Sequence, residues 1–174
     1  MDQGFEIRPL ESGDFEEFLE IQKLALLSAP DVFGSDYSRF DSLSILNKEQ
    51  RFVRYLLFPY QYILGAVTPS GTVVGMVGFS CDNSSSKIKH KAKIWGLYVV
   101  PEQRGKGVAS LLVNTVLNEA IDIGVELVQL SVSTQNRASY SLYLRLGFTV
   151  YGTEPRSMKV DDQYIDEYLM VKIL

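Results

Sequence analysis

Hydrophobic and polar residues alternate at the start of the chain and then change to a helical spacing. The alternation over residues 5–8 predicts a short strand, whose length Pro9 limits. After Asp14, a residue type that can cap a helix, apolar positions recur every three or four residues as far as residue 29. The chain is therefore expected to open with a strand and an amphipathic helix.

The next segments change from a helical pattern to a strand pattern. Residues 31–38, which include Gly34 and Ser35, predict a connecting loop, and residues 42–57 have the spacing of a second helix, which Pro59 ends. Two β-rich runs follow at residues 60–67 and 72–80. The turn between them has proline and glycine at favoured positions, so the two runs are predicted to form a hairpin.

The remaining segments mix strands and helices. Residues 88–100 predict a long strand that begins with alternating lysines and ends wholly apolar, so its second half should be the more buried. Residues 105–123 have one apolar helical face, and Gly124 ends that helix. The pattern continues with a strand, a short helix and closing strands, at residues 125–132, 136–146, 148–151 and 164–174.

This order of elements defines an expected fold class. A strand and two helices precede an antiparallel meander of three strands, and helix, strand, helix and closing strands follow. A doubly wound sheet would alternate strands and helices throughout, so the order predicts an α+β fold, an α/β sandwich. The length of 174 residues suits one domain, residues 1–174.

Composition narrows the class of protein further. Hydrophobic residues make up 46% of the chain and charged residues 22%, which is typical of soluble globular domains. One cysteine cannot form an internal disulfide, and with one histidine it cannot supply a typical zinc site, so we expect a cytoplasmic protein without a metal. The sequence has no recognisable secretory signal or apolar run of transmembrane length, so we expect no membrane partner.

The charged residues are unevenly distributed. The chain has 17 Lys and Arg against 21 Asp and Glu, a net charge of −4 that argues against a nucleic-acid partner. Residues 87–106 nevertheless hold six cations and one acid, a local charge of +5, which leaves −9 for the rest of the chain. This distribution indicates one anion-binding strip on an otherwise acidic protein.

The most informative stretch places a strand, a glycine-rich turn and the start of a helix in succession. The turn is Arg104-Gly105-Lys106-Gly107, and Val108 follows it. Free N–H groups and the positive end of a helix dipole would face an anion there, and glycine lets a phosphate approach the backbone. The stretch favours a phosphorylated ligand; an exposed turn that uses glycine only for its backbone angles is the alternative.

Two common phosphate-binding motifs do not fit this turn. A Walker A loop needs a lysine and a hydroxyl residue after its last glycine, whereas Val108 follows Gly107. A dinucleotide-binding fingerprint needs a third glycine where this chain has Ser110. Glu126 has the spacing of a ribose-binding acid but lies at the beginning of its predicted strand, which is the wrong end.

The turn and a later segment together resemble a known family. Residues 104–109, Arg-Gly-Lys-Gly-Val-Ala, resemble the Arg/Gln-x-x-Gly-x-Gly/Ala motif of the GNAT superfamily of N-acetyltransferases. Residues 136–148 resemble that family's Asn-x-x-Ala-x-x-x-Tyr segment followed by Gly-Phe, with Ser139 where the family usually has alanine. The two motifs occur in the family's order, separated by a predicted helix and strand.

The resemblance implies a fold and a cofactor. The fold would be a layered one, with a mixed, mostly antiparallel sheet of about seven strands flanked by about four helices. Acetyl-CoA would be the donor, its pyrophosphate held by backbone N–H groups and its pantetheine arm paired with a strand edge, where an N–H would also stabilise the tetrahedral oxyanion. The implied cofactor-binding residues are Leu97, Tyr98, Val99, Arg104, Gly105, Lys106, Gly107, Val108, Ala109 and Asn136.

The resemblance also implies a catalytic residue. Tyr143 matches the tyrosine that protonates the departing CoA thiolate as a general acid. Taken without the motif, Tyr143 packs its ring on the sheet from an amphipathic helix. The positions at which some family members carry a glutamate base correspond to Lys93 and Ser131, neither of which suits that role. A water chain, another carboxylate or a partly neutral amine are the open alternatives.

The acceptor would be a primary amine on a small molecule or a peptide. In this family the acceptor pocket is built by the connection between the first two helices and by late loops, here residues 31–37 and 155–164. Acids in these segments would suit a cationic amine, or serve solubility alone. The candidate substrate-binding residues are Phe33, Asp36, Tyr37 and Tyr164.

The expected protein is thus an N-acetyltransferase that works through a direct ternary complex, and a homodimer is compatible with the sequence. A catalytically silent acyl-CoA-binding module on the same fold is one alternative. A nucleotide-binding protein of another class is the other.

Overall fold

The strands pair into one sheet, which a computed structural model describes over residues 4–30 and 33–174. The strands are β1 (Glu6–Pro9), β2 (Leu56–Leu57), β3 (Gln61–Val67), β4 (Val73–Cys81), β5 (Lys91–Val99), β6 (Leu127–Ser133), β7 (Thr149–Val160) and β8 (Gln163–Ile173). They lie in the order β1-β3-β4-β5-β6-β8-β7, with β2 paired to β3. All pairs are antiparallel except β5 with β6, which confirms the predicted fold class.

Five α-helices and two short 3₁₀ turns accompany the sheet in the described part of the chain. The α-helices are α1 (Phe15–Ser28), α2 (Tyr37–Ser42), α3 (Ile45–Val53), α4 (Val108–Asp122) and α5 (Arg137–Arg145). The 3₁₀ turns are Ser12–Asp14 and Pro101–Gln103. None of the described helices combines the length and apolarity that crossing a bilayer requires.

The alternation of side chains along β3 divides the interior into two cores. Leu64 faces the larger core, where it joins Leu112 of α4. Ile63, one position earlier, faces the other core with Phe18 of α1 and Phe52 of α3. The sheet is therefore buried on both faces in its first half, which explains why β3 and β4 are almost wholly apolar.

The single helix predicted over residues 42–57 is wrong. The helical segment begins earlier and is interrupted after Ser42, where Ser44 starts α3 by accepting a hydrogen bond from the Asn47 N–H (3.3 Å). Serine competes with helix continuation by capping, so a break at this point is favoured locally. Leu56–Leu57 then leaves the helical path to pair with β3.

Asp14 precedes α1 as predicted, but its side chain does not cap that helix. Its carboxylate accepts two hydrogen bonds from the Arg8 guanidinium (2.7 and 2.8 Å) and one from the Glu11 N–H (2.8 Å). The hydrogen bonds from Arg8 hold the pKa of Asp14 below its ordinary value. Asp14 therefore joins β1 to the start of α1 instead of capping the helix.

The loop predicted over residues 155–164 is also wrong, because β7 and β8 form a long hairpin there. Their connection consists of Asp161 (φ 45°) and Asp162 (φ 63°), the positive angles that a type I′ turn requires. Pro155 lies where the register of β7 against β8 shifts, so the interrupted ladder accommodates a residue without an N–H. The strand predicted from residue 88 begins later, at Lys91, and its second half is the more buried, as expected.

Candidate active site

The sheet opens where its two parallel strands separate. β5 and β6 pair only through Lys91–Lys93 and Leu127–Gln129. Beyond these pairs β5 contains an irregularity at Gly96, whose φ of 64° favours glycine, and the register against β4 shifts. No described strand pairs with the β6-facing edge of β5 from residue 94 onward, so this edge keeps unpaired backbone groups.

A cleft of about 540 Å³ occupies this opening. Its walls come from the end of β5, the glycine turn with the start of α4, and the start of α5. Nine of the ten residues predicted to bind the cofactor line it: Leu97, Tyr98, Val99, Arg104, Gly105, Gly107, Val108, Ala109 and Asn136. The side chain of Lys106, the tenth, is exposed and its Nζ donates to the Gln103 Oε1 (3.2 Å).

The glycine turn presents backbone donors to the cleft. Gly105 (φ 74°) and Gly107 (φ 83°) have backbone angles that glycine adopts without strain. Gly107 precedes α4 without a side-chain cap, so the first N–H groups of this helix have no intrahelical acceptor. These donors and the helix dipole make the turn suitable for an anion.

Arg104 contributes its side chain as well as its backbone. Its Nε donates to the carbonyl oxygen of Val99 (3.0 Å), and its guanidinium carbon lies 5.5 Å from the ring centre of Tyr98. The cation is therefore held at the end of β5, beside the cleft. A positive charge at this place favours an anionic ligand.

Asn136 has two roles that do not conflict. Its Oδ1 accepts a hydrogen bond from the Ser139 N–H (3.1 Å), which caps α5. Its side-chain nitrogen donates no hydrogen bond to a described residue, and the residue lines the cleft. The amide can hence stabilise the helix and contact a ligand at the same time.

Tyr143 is buried beside the cleft and does not form its wall. Its ring lies 5.7 Å from that of Phe148, and burial raises the pKa of its hydroxyl above the ordinary value. The hydroxyl has no hydrogen-bond partner among the described residues. Every fully buried side-chain oxygen of those residues does have a partner, so the Tyr143 oxygen must keep some exposed surface. Tyr143 thus packs on the sheet and retains a free, protonated donor.

The sequence did not identify Arg145, which also lines the cleft. Ser139, Leu142 and Arg145 follow one another at intervals of three along α5, and all three line the cleft. That spacing marks one helical face and would have predicted Arg145. Tyr143 lies on an adjoining face that turns toward the core.

The four predicted acceptor residues do not lie together. Phe33 lines the cleft, with its ring 6.3 Å from that of Tyr98. Asp36 lines a separate depression of about 240 Å³. Tyr37 donates to Asp41 (3.2 Å), and the exposed ring of Tyr164 lies under two cations of the β7–β8 hairpin; neither lines either cavity. Positions 31 and 32 of the predicted acceptor segment lie outside the described residues.

No carboxylate is found among the described residues that line the cleft. Lys93 and Ser131, the positions that correspond to the family's glutamates, are exposed on β5 and β6. The described residues of the cleft can therefore bind and orient a ligand and donate hydrogen bonds to it.

The mostly antiparallel sheet opens where its parallel strands β5 and β6 separate, and the opening faces the glycine turn and the start of α4. This arrangement defines a class of ligand-binding domain. The model of the Acetyltransferase (GNAT) family matches residues 24–148, which include the whole cleft-forming segment from β5 to α5. The chain therefore belongs to the GNAT family of acetyltransferases.

Relatives and solved structures agree with this assignment. An uncharacterized N-acetyltransferase of Mycobacterium tuberculosis is 32% identical over 128 residues, 71% of this chain and 74% of that protein. The L-amino acid N-acyltransferase MnaT of Escherichia coli is 31% identical over 87 residues, 50% of each chain.

Two solved structures share the fold over nearly the whole chain. A GNAT-family acetyltransferase of Streptococcus pneumoniae has a TM-score of 0.81 and 25% identity, over 98% of this chain and 99% of that one. YncA of Salmonella typhimurium, whose structure contains its cofactor acetyl-CoA, has a TM-score of 0.81 and 24% identity, over 98% and 94%.

Proposed function

We propose that the protein is an acetyl-CoA-dependent N-acetyltransferase that acts on a primary amine of a small molecule or peptide. The observation that carries the proposal is the meeting, in one cleft, of an unpaired strand edge and the free N–H groups of a glycine turn. Acetyl-CoA has both complementary features, a pantetheine arm with amide groups and a pyrophosphate. The acetyl-CoA held by a protein of the same fold supports this choice of ligand.

The residues of the cleft divide the binding between them. The backbone of Leu97, Tyr98 and Val99 pairs with the amides of the pantetheine arm as an added strand would. N–H groups of residues 104–109 hold the pyrophosphate, assisted by the charge of the Arg104 side chain. The free side-chain nitrogen of Asn136 donates to the arm from the opposite wall.

Acetyl transfer then requires stabilisation of one developing charge. The amine nitrogen attacks the thioester carbonyl carbon, and the carbonyl oxygen becomes an oxyanion. An N–H on the free edge of β5 donates to that oxygen and stabilises its negative charge. This edge would therefore both position the donor and lower the barrier.

Tyr143 supplies the proton that the reaction needs at its end. As the tetrahedral intermediate collapses, the carbon–sulfur bond breaks and the Tyr143 hydroxyl donates its proton to the leaving thiolate. The hydroxyl is protonated at neutral pH, as that of any tyrosine is, and burial raises its pKa further. Tyr143 lies beside the cleft and not in its wall, so the proposal requires the sulfur to come within hydrogen-bond distance of the part of its hydroxyl that stays exposed.

The acceptor amine enters the cleft near Phe33 and Tyr98. Tyr98 is held in place there because its hydroxyl shares a hydrogen bond of 2.9 Å with Ser28 Oγ at the end of α1. The proton that the amine loses leaves through a water chain, through another carboxylate, or before binding if the amine arrives partly neutral. The printed name of the Escherichia coli relative, an L-amino acid N-acyltransferase, supports small amines as acceptors.

Turnover of acetyl-CoA with a panel of amines tests the proposal, with product identified by mass. Tyr143→Phe is expected to reduce kcat by about 100-fold, the usual contribution of a general acid, while the Kd for acetyl-CoA stays unchanged. Tyr140→Phe is the matched control, because Tyr140 lies on the same helix with its ring packed on Tyr168 at 5.0 Å. It should leave kcat unchanged.

Two results would contradict the proposal in different ways. Tight binding of acetyl-CoA without turnover on any amine would identify a silent acyl-CoA-binding module. Stabilisation by NAD or ATP, with none by acetyl-CoA, would identify a nucleotide-binding protein of another class.

A further inference from the structure

A second depression lies between the first three helices, separate from the cleft. It has a volume of about 240 Å³ and is mainly polar at its rim. Its lining includes Gln22 and Leu26 of α1, Arg39 and Phe40 of α2, Arg51 of α3, and Asp36. We call it the arginine pocket.

Neither arginine of this pocket forms an ion pair with a residue that the structure describes. The ion pairs of the described residues are Arg8 with Asp14 and Lys159 with Asp162, and neither involves the pocket. Arg39 of α2 and Arg51 of α3 are exposed to solvent and line the same depression. Two guanidinium groups beside one small depression favour an anion, and their paired N–H donors match a carboxylate.

Asp36 offsets only part of the positive charge of the pocket. Its Oδ1 accepts hydrogen bonds from the Arg39 N–H (2.7 Å) and the Ser38 hydroxyl (2.7 Å), which caps α2. These bonds hold the pKa of Asp36 below its ordinary value, so the group stays charged and committed to the cap. The pocket therefore carries two positive charges and one negative charge.

The arginine pocket adjoins the cleft. Leu26 of α1 lines the pocket, and Ala29, the residue after the end of α1, lines the cleft. Phe33 lines the cleft and Gly34, the next residue, lines the pocket. The linings of the two cavities are therefore neighbours along the chain at two places.

We propose that Arg39 and Arg51 bind the carboxylate of the acceptor, whose amine lies in the cleft, so that the acceptor is an amino acid. The inference rests on the proposed acetyl transfer and adds the substrate class. The sequence predicted an acidic pocket that attracts a cationic amine, whereas this pocket has more positive than negative charge. Asp36, the acid expected to attract the amine, caps α2 instead. Phe40 contributes apolar surface beside the two cations.

The test compares pairs of acceptors that differ only in the carboxylate, such as L-phenylalanine against phenethylamine, across a panel of side chains. The amino acid should have a KM lower by about 10- to 100-fold, the effect of a charged hydrogen-bonding pair. Arg39→Gln and Arg51→Gln should each raise the KM of the amino acid by about tenfold or more and leave the KM of the plain amine and of acetyl-CoA unchanged.

Arg54→Gln is the matched control. Arg54 is exposed at the end of α3 and lines neither the pocket nor the cleft. Its KM values should equal those of the unmodified protein. If the two pocket variants behave like this control, or if amines react equally well with and without a carboxylate, the inference is wrong while the acetyltransferase proposal stands.

Calorimetry separates the two proposals when no turnover is seen. The panel of L-amino acids is titrated into the protein saturated with CoA. Binding that Arg39→Gln and Arg51→Gln abolish, and Arg54→Gln preserves, supports the pocket even if acetyl transfer fails. Absence of binding for every member of the panel overturns the assignment of the pocket.

Discussion

Gly78 of β4 lies directly against the indole ring of Trp95 on β5. A Cβ at position 78 would lie within 2.5 Å of that ring. The indole cannot move aside easily, because its Nε1 donates to Ser80 Oγ (2.8 Å) and its ring packs on Tyr55 at 4.8 Å. Gly78 is therefore required for packing, although its φ is ordinary.

We expect Gly78→Ala to lower the free energy of unfolding by about 1–3 kcal/mol, the usual cost of overpacking a core. For a domain of this size, that lowers the melting temperature by about 2–12 °C. Gly152→Ala is the control, since its Cβ would meet Leu169 at an ordinary 3.6 Å. Equal melting temperatures for the two variants would show that Trp95 has room to move.

Single residues also explain why the sequence located the cleft and missed the arginine pocket. The residues of the glycine turn and Asn136 obey local rules, a positive φ and a helix cap, which can be read without tertiary structure. Arg39 and Arg51 are each typical surface residues of a helix. Their shared pocket arises only when α1 packs beside α2 and α3, which no local pattern records.

Among the secondary-structure elements, the link between β1 and α1 depends on one ion pair. Arg8 and Asp14 form a bidentate contact in which both side chains are partly buried. Since the pair lowers the pKa of Asp14, it stabilises the fold above the ordinary aspartate pKa of about 3.9. That stabilisation is lost as the pH falls through the lower pKa of the folded state.

Asp14→Asn should accordingly reduce the free energy of unfolding by about 1 kcal/mol at neutral pH. The difference from the unmodified protein should shrink toward zero as the pH is lowered below about 4. Urea denaturation at several pH values measures this. Glu20→Gln, an exposed change on α1, is the control; a difference for Asp14→Asn that does not vary with pH would exclude the ion pair as its source.

Elements fixed by local signals could be predicted, and those fixed by pairing could not. The β3–β4 hairpin follows from its turn, where the Gly71 N–H donates to the Thr68 carbonyl (2.9 Å), and Gly124 (φ 78°) follows α4 as expected. The β7–β8 hairpin was missed because Pro155 and two aspartates are typical of loops. Pairing of the flanking residues with β8 outweighs those preferences.

On the scale of the whole molecule, the uneven charge of the sequence corresponds to two different surfaces. The lysines at the start of β5, Lys91 and Lys93, are exposed and lie outside the lining of the cleft. Arg104 follows the other end of this strand, after the 3₁₀ turn Pro101–Gln103, and lines the cleft. The local charge of +5 therefore has two sources, exposed lysines on a solvated strand face and Arg104 at the cleft. The sequence alone does not separate them, because the separation depends on where the strand runs in the fold.

The short pairing of β5 with β6 also has a mechanical consequence. Only three residue pairs join β5 to β6, so the sheet consists of two halves, β1–β5 and β6–β8, held together by a short ladder. A molecule in the cleft contacts Leu97–Val99 in the first half and Asn136 beside the second. Such a ligand would bridge the two halves.

Amide hydrogen exchange should show that the bound ligand stabilises both halves of the sheet together. At acetyl-CoA concentrations near 100 times Kd, the folded state gains about 2.7 kcal/mol. Exchange along residues 94–99 and at the start of α5 should slow together, while the exposed turn at Asp161 and Asp162 keeps its rate. Protection confined to one half would mean that the two halves move independently. Acetyl-CoA would then be bound by one half of the sheet alone.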